Sequence, residues 1–283
     1  MLPTARRAQA GFTLAEVAIA VVIVAILLAG IMIPLGTQID VRNNADTQRT
    51  LDQIKDAIVA YAVANGRLPC PADGTTPAGG TNAAGFAAGA EQYQSALGTC
   101  VNGAAAVLAG VVPWATLGVP ETDAWGRRFS YWVAPIFTDA VTINSFSTAG
   151  QIPSCTPTIT PTQASFALCS LGNLTVSTRN DSTHATVSVG SVLPVVIVSH
   201  GKNGYGAYNT RGTLQPAPAA GTDEAANATH TAAASAFYSR NPTPAASACS
   251  DPGGPTFCEF DDLVAMIPAP ILAARAVAAG RLP

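Results

Sequence analysis

Glu16 is the first residue whose placement calls for chemistry. It is the only charged side chain between Arg7 and Asp40, and it stands at the edge of an uncharged run from Val17 to Ile39. A carboxylate near a bilayer centre costs about 2.5–3.5 kcal/mol, and less at the interface, so it needs a partner or a reason. One reason is the helix dipole, which favours an acid in a first turn by about 0.3–1 kcal/mol. Six cysteines come next: Cys70, Cys100, Cys155, Cys169, Cys249 and Cys258, all beyond the apolar run. An even number in an exported head reads as disulfides, with the connectivity open. Sequential pairing is expected, because each pair then closes a Gly-, Pro- or Thr-rich segment. Unstrained loops of this size contribute about 2–4 kcal/mol each. Zinc would use Cys differently, and no C-x-x-C or neighbouring His pair is present.

His184, His200 and His230 lack metal-like spacing. Ser199-His200 raises a hydrolase reading, but the G-x-S-x-G elbow is missing and adjacent residues cannot form a triad alone. It reads instead as a strand-ending turn with Gly201 and Gly204. Gly201-Lys202-Asn203-Gly204 lacks the order of a phosphate-binding loop.

The composition bounds the class. Among 283 residues, 48% are hydrophobic and 11% charged, with a net charge of -3. Disorder goes with the opposite balance. Lys and Arg total 14 against 17 acids, without a basic run, so no nucleic-acid partner is expected. No Gly-X-Y period suggests collagen.

These groups need elements to hold them. Val17–Leu35 is almost wholly Ala, Val, Ile and Leu, and about 20 such residues span a bilayer core. Arg6 and Arg7 precede this run, which keeps the N-terminus cytoplasmic and sends the rest outward. Beyond it, Leu51, Ile54, Ile58 and Tyr61 fall on one helical face. The helix is expected to continue to Ala64 or Asn65, with Gly66 as C-cap and Pro69 blocking extension. Such a rod of about 50 residues would be roughly 75 Å long. Residues 62–69 are nearly repeated at 276–283, which reads as one helix-stop grammar used twice. Strands are expected at Phe129–Val133, Val141–Phe146, Leu174–Ser177, Thr186–Val189, Val192–Ser199 and Phe260–Met266. A last helix is expected over Ile271–Ala279.

The run Gly11-Phe12-Thr13-Leu14-Ala15-Glu16, followed by the apolar helix, resembles the type IV pilin and pseudopilin family. The resemblance implies an α+β fold: a long N-terminal transmembrane and stalk helix packed on a disulfide-containing, loop-rich β head. Its parts would be a cytoplasmic leader (1–11), a transmembrane or filament-core helix (12–39), an amphipathic continuation (40–66) and a periplasmic head (67–283). It also implies cleavage by a prepilin peptidase after Gly11 and N-methylation of Phe12. Gly11 has no side chain to obstruct the protease. Glu16 would then pair with the Phe12 amine of a neighbouring subunit. The implied partners are other pilin or pseudopilin subunits, the prepilin peptidase and an inner-membrane assembly platform. The implied place is the bacterial inner membrane, single-pass, and then the filament. Pro34 lies one residue later than the family's commonest helix proline.

Further likeness lies in the head, at residues 66–71, 113–118, 123–129, 199–204 and 260–263. Asp123-Ala124-Trp125-Gly126 is similar to a turn of major pseudopilins. Trp114 and Trp125 read as core anchors. Major pseudopilins bind calcium in a C-terminal loop, and Asp223, Glu224, Asp261 and Asp262 could supply hard oxygen ligands here, without EF-hand spacing. The expectation is a structural, non-enzymatic subunit. The large head points to a minor, tip or adhesive one. The competing expectation is a signal-anchored periplasmic enzyme or ligand-binding protein outside any filament.

Overall fold

The structure, a computed structural model, describes residues 12–101, 107–140, 163–231 and 234–282, without the side chains of 27–37. The chain divides into two units, Met1–Asn43 and Asn44–Pro283.

Helix α1 runs Leu14–Asn65. In the first unit its side chains from Val17 to Ile26 are exposed. Among the described residues no helix is long and apolar enough to cross a membrane. The side chains of 27–37, half of the apolar run, are not among them. In the second unit Leu51, Ile54, Ile58 and Ala62 are buried to 2% exposure or less. The buried row therefore passes through Ala62 and not Tyr61. Tyr61 sits at its margin, where the hydroxyl donates to Glu91 Oε1 at 2.5 Å. Gly66, at φ 71°, ends the helix, and its N–H donates to Ala62 O at 2.8 Å. Arg281 closes the same end from the far terminus, donating through Nε to Val63 O at 2.9 Å and through a second nitrogen to Ala64 O. A cation at the carbonyl end of a helix suits its dipole.

The head holds a short antiparallel pair, β1 (Tyr93–Gln94) with β2 (Thr99–Cys100), a helical turn α2 (Trp114–Leu117), and a four-stranded antiparallel sheet in the order β3 (Leu108–Val111), β4 (Ser130–Val133), β7 (Val195–Ser199), β9 (Leu263–Ile267). Period-two alternation makes it two-faced. Tyr131, Val133, Val195, Ile197, Ala265 and Ile267 join the stripe of α1 and Leu272 and Ala276 of the last helix, Ala269–Ala278. Trp132, Val196 and Val198 join Leu174, Val176 and Phe237 on the opposite face. That second core is shared with a three-stranded sheet, β6 (Thr186–Leu193), β5 (Leu174–Arg179), β8 (Ala236–Tyr238). The head is thus helix, sheet, sheet, a mixed α+β arrangement.

Several expected boundaries move. Val192–Ser199 is two strands, because Pro194 has no N–H for a ladder and Val192 turns to φ 51°. β9 starts at Leu263, since Phe260 instead bridges Thr243 and the two aspartates turn aside. Leu108–Val111 and Ala236–Tyr238 are further strands, too short, at four and three residues, for an alternating pattern to mark them. Val141–Phe146 lies outside the described residues. Disulfides join Cys70 to Cys100 and Cys249 to Cys258. Cys169 is also disulfide-bonded, and Cys155 lies outside the described residues.

Candidate functional site

Two places gather the residues singled out above. The first is the start of α1. Gly11 lies outside the described residues, and Phe12 is 86% exposed. Thr13 and Glu16 bond reciprocally. The Thr13 N–H and hydroxyl both donate to Glu16 Oε2, at 2.8 and 2.9 Å, and the Glu16 N–H donates to Thr13 Oγ1 at 3.3 Å. This is a capping box, Thr-x-x-Glu, which satisfies two of the backbone donors left open at a helix start. The signal lies in Thr13-Leu14-Ala15-Glu16, and neither the dipole role of Glu16 nor its pairing with a neighbour's amine includes it. Both contacts fall on Oε2. Among the described residues no hydrogen bond reaches Oε1.

The second place is a carboxylate cluster in the head. Glu224, Asp261 and Asp262 bring oxygen atoms within 4.8 Å of one another. Three segments deliver them. Glu224 lies in the first turn of helix α3 (Asp223–Asn227), whose N-cap Thr222 accepts from the Ala225 N–H. Asp261 and Asp262 directly precede β9. The turn after β7 supplies Asn203, whose N–H donates to Asp261 Oδ2 at 2.8 Å and whose side-chain amide donates to Glu224 Oε1 at 2.9 Å. Gly201 makes that turn possible: its φ is +53°, and a Cβ there would lie 2.3 Å from Asp261 O.

The cluster is electrostatically unsettled. Glu224 is pushed up to about 8, chiefly by burial and then by the negative charge of Asp262. Asp261 is pushed up to about 6, mainly by burial. Asp261 Oδ1 is buried without a hydrogen-bond partner. So is His200 Nδ1, on a fully buried ring, 3.6 Å from Asp262 Oδ1. Crowded carboxylates with unmatched buried atoms fit a hard divalent cation, which takes oxygen ligands.

Asp223 does not belong to this set. Although adjacent to Glu224, it points elsewhere, because successive helical residues face different directions. Its carboxylate accepts from Arg179 at 2.7 Å and from Arg240 at 3.0 Å. The histidines also resolve into separate contacts. His200 Nε2 lies 2.8 Å from Ser130 Oγ, both fully buried, whereas Ser199 Oγ donates to Asp123 Oδ2 at 2.7 Å. Ser199 and His200 are therefore not a nucleophile and base to each other. Asp123 also accepts from the N–H groups of Trp125 and Arg127, which ties the Asp-Ala-Trp-Gly turn to the end of β7. Trp114 and Trp125 are half-buried, and Trp132 is the fully buried tryptophan. Trp114 instead covers the Arg128 guanidinium at 4.5 Å.

No curated protein and no solved structure matches the chain. One family does: residues 6–32 match the prokaryotic N-terminal methylation motif. That stretch holds Arg6, Arg7, Gly11, Phe12, the Thr13–Glu16 cap and the start of the apolar run. The chain therefore opens with a type IV prepilin-like signal.

Proposed function

We propose that this chain is a structural subunit of a type IV pilus or a type II secretion pseudopilus. A prepilin peptidase cuts between Gly11 and Phe12 and methylates Phe12, and the N-terminal helix carries the subunit from the inner membrane into the filament. In this reading the chain is the peptidase's substrate and performs no catalysis. Its large head suits a minor or tip subunit. The match over residues 6–32 carries the proposal. The apolar run behind it supports a membrane-held helix before assembly. Cutting ahead of that run leaves the helix on the mature protein. The cut frees a cationic amine at Phe12, and the two contacts that fall on Glu16 Oε2 leave Oε1 to receive such an amine from a neighbour. A charge pair in a low-dielectric setting is stronger than in water, less the cost of desolvating both groups. Intact-mass and N-terminal peptide analysis of protein purified from membranes is expected to show loss of Met1–Gly11 and a gain of about 14 Da from one methyl group. An intact N-terminus overturns the reading and favours the signal-anchored alternative.

A second reading concerns the head. Glu224, Asp261 and Asp262 would hold a hard divalent cation such as calcium, and the orphaned Asp261 Oδ1 favours it. A bound cation would offset the mutual repulsion of these groups. Glu224 keeps its proton in the folded head up to about 8, against an ordinary value of 4.5. Folding therefore takes up a proton between 4.5 and about 8, so this contribution to stability is full below 4.5 and is lost as pH rises through about 8. Thermal scans without calcium are expected to show stability falling across this window. Millimolar calcium should restore it at the alkaline end, and Glu224→Gln should flatten both effects. Indifference of the wild-type melting curve to calcium at pH 8 refutes the reading.

A further inference from the structure

The Cys249–Cys258 loop wraps one buried acid. Pro252, Gly253, Pro255 and Thr256 are exposed, whereas Asp251 is 1% exposed. Asp251 Oδ2 accepts from the Asp223 N–H at 2.7 Å, and Oδ1 accepts from the Cys258 N–H at 2.9 Å. Those two amides belong to different arms of the carboxylate cluster. Asp223 directly precedes Glu224, and Cys258 stands three residues before Asp261. Arg240 reinforces the same junction, donating to Asp251 Oδ1 and to the Cys258 carbonyl, both at 3.0 Å, and to Asp223 Oδ2 at 3.0 Å. His184 Nδ1 faces the Asp251 carbonyl at 3.1 Å.

We infer that Asp251, fixed inside the Cys249–Cys258 disulfide loop, is the positioning residue that joins the two arms of the carboxylate cluster, so that the disulfide sets how firmly a divalent cation is held. This rests on the cation reading above. It adds that cluster geometry is imposed from outside the cluster, by a residue that touches no ion. The loop has two glycines, and the crosslink and the bonds of Asp251 hold it closed together with Phe257, which stacks on His184 with ring centroids 4.0 Å apart. Opening it restores chain freedom to residues 250–257 and withdraws Asp251 from both amides. A dithiol would open it by exchange: the Cys249–Cys258 bond breaks, two thiols form, and the dithiol becomes its own disulfide. Cys249 is half-buried, within reach of a small reductant.

The test uses full-length oxidised protein in detergent, an Asp251→Asn variant and a Cys249→Ser/Cys258→Ser double variant. Calcium binding is followed by titration calorimetry. Amide exchange without metal is followed by mass spectrometry over residues 200–204 and 259–262. Both variants are expected to bind calcium at least tenfold more weakly. Both should also exchange faster at the Asn203 and Asp261 amides, which donate to Asp261 and Glu224 and touch neither Asp251 nor the disulfide. Protection of Val196–Val198 in the central sheet must persist, as the control for folding. Unchanged calcium affinity, with faster exchange confined to Asp223 and Cys258, overturns the inference. Wild-type protein that binds no calcium ends the cation reading alone, and exchange at Asn203 and Asp261 then still decides whether Asp251 positions the cluster.

Discussion

Replacing Arg128 by methionine is expected to destabilise the head by about 3–5 kcal/mol, the range for removing one member of a buried charge network. Arg128 is fully buried. Its guanidinium donates to Glu121 Oε1 at 2.8 and 3.0 Å, to Gly74 O at 2.9 Å, to Thr76 O at 2.7 Å and to Thr210 O at 3.2 Å. Three carbonyls from two distant loops thus meet on one side chain, beneath the ring of Trp114. Methionine fills much of the volume and satisfies none of the acceptors, and each buried unsatisfied group costs about 1–3 kcal/mol. The contrast is Arg49 with Asp46 on α1, whose side chains are 74% and 44% exposed. Removing that pair should change stability by under about 1 kcal/mol. Denaturant midpoints of the two variants decide the matter. Equal midpoints would mean that the loops around residues 74–76 and 210 find other donors or open to water.

The difference between these two arginines was not visible in the sequence. Arg49 has its acid three residues before it and Arg128 seven before it, and burial is what separates them. What was legible is what local spacing encodes. The helix end at Asn65–Gly66 followed from a glycine free to take positive φ and a proline three residues on. The buried row of α1 followed from period, apart from Tyr61, whose hydroxyl finds Glu91 some 30 residues away. Most of the expected Val192–Ser199 strand followed from its β-branched run and the glycine turn after it, whereas the break at Pro194 did not. Long-range chemistry was less legible. Nothing local tells Asp223 from its neighbour Glu224; α3 turns one toward two arginines and the other toward two aspartates. Asp251 gave no signal at all, because its role depends on two amides brought together by a disulfide loop. The capping box at Thr13–Glu16 is the opposite case, written in four consecutive residues.

That capping box shapes the sharpest functional expectation. Glu16→Gln should leave the helix start intact, because a glutamine at this position completes the same box. Its Oε1 atom can still accept from the Thr13 N–H and hydroxyl, the contacts that Glu16 makes at 2.8 and 2.9 Å. What disappears is the negative charge. If the carboxylate serves only the cap, the variant enters filaments normally. If it also receives the amine of a neighbouring Phe12, each subunit loses a charged hydrogen bond worth about 1.5–3 kcal/mol, so incorporation should fall at least tenfold. Glu16→Ala should lose both roles, adding a cap cost of about 0.5–2 kcal/mol. The measurement is the ratio of variant protein in sheared filaments to that left in membranes, with leader removal confirmed by mass in every case. A glutamine variant that is processed and then assembles at the wild-type ratio would reduce Glu16 to a helix cap, and assembly would have to depend on helix packing alone.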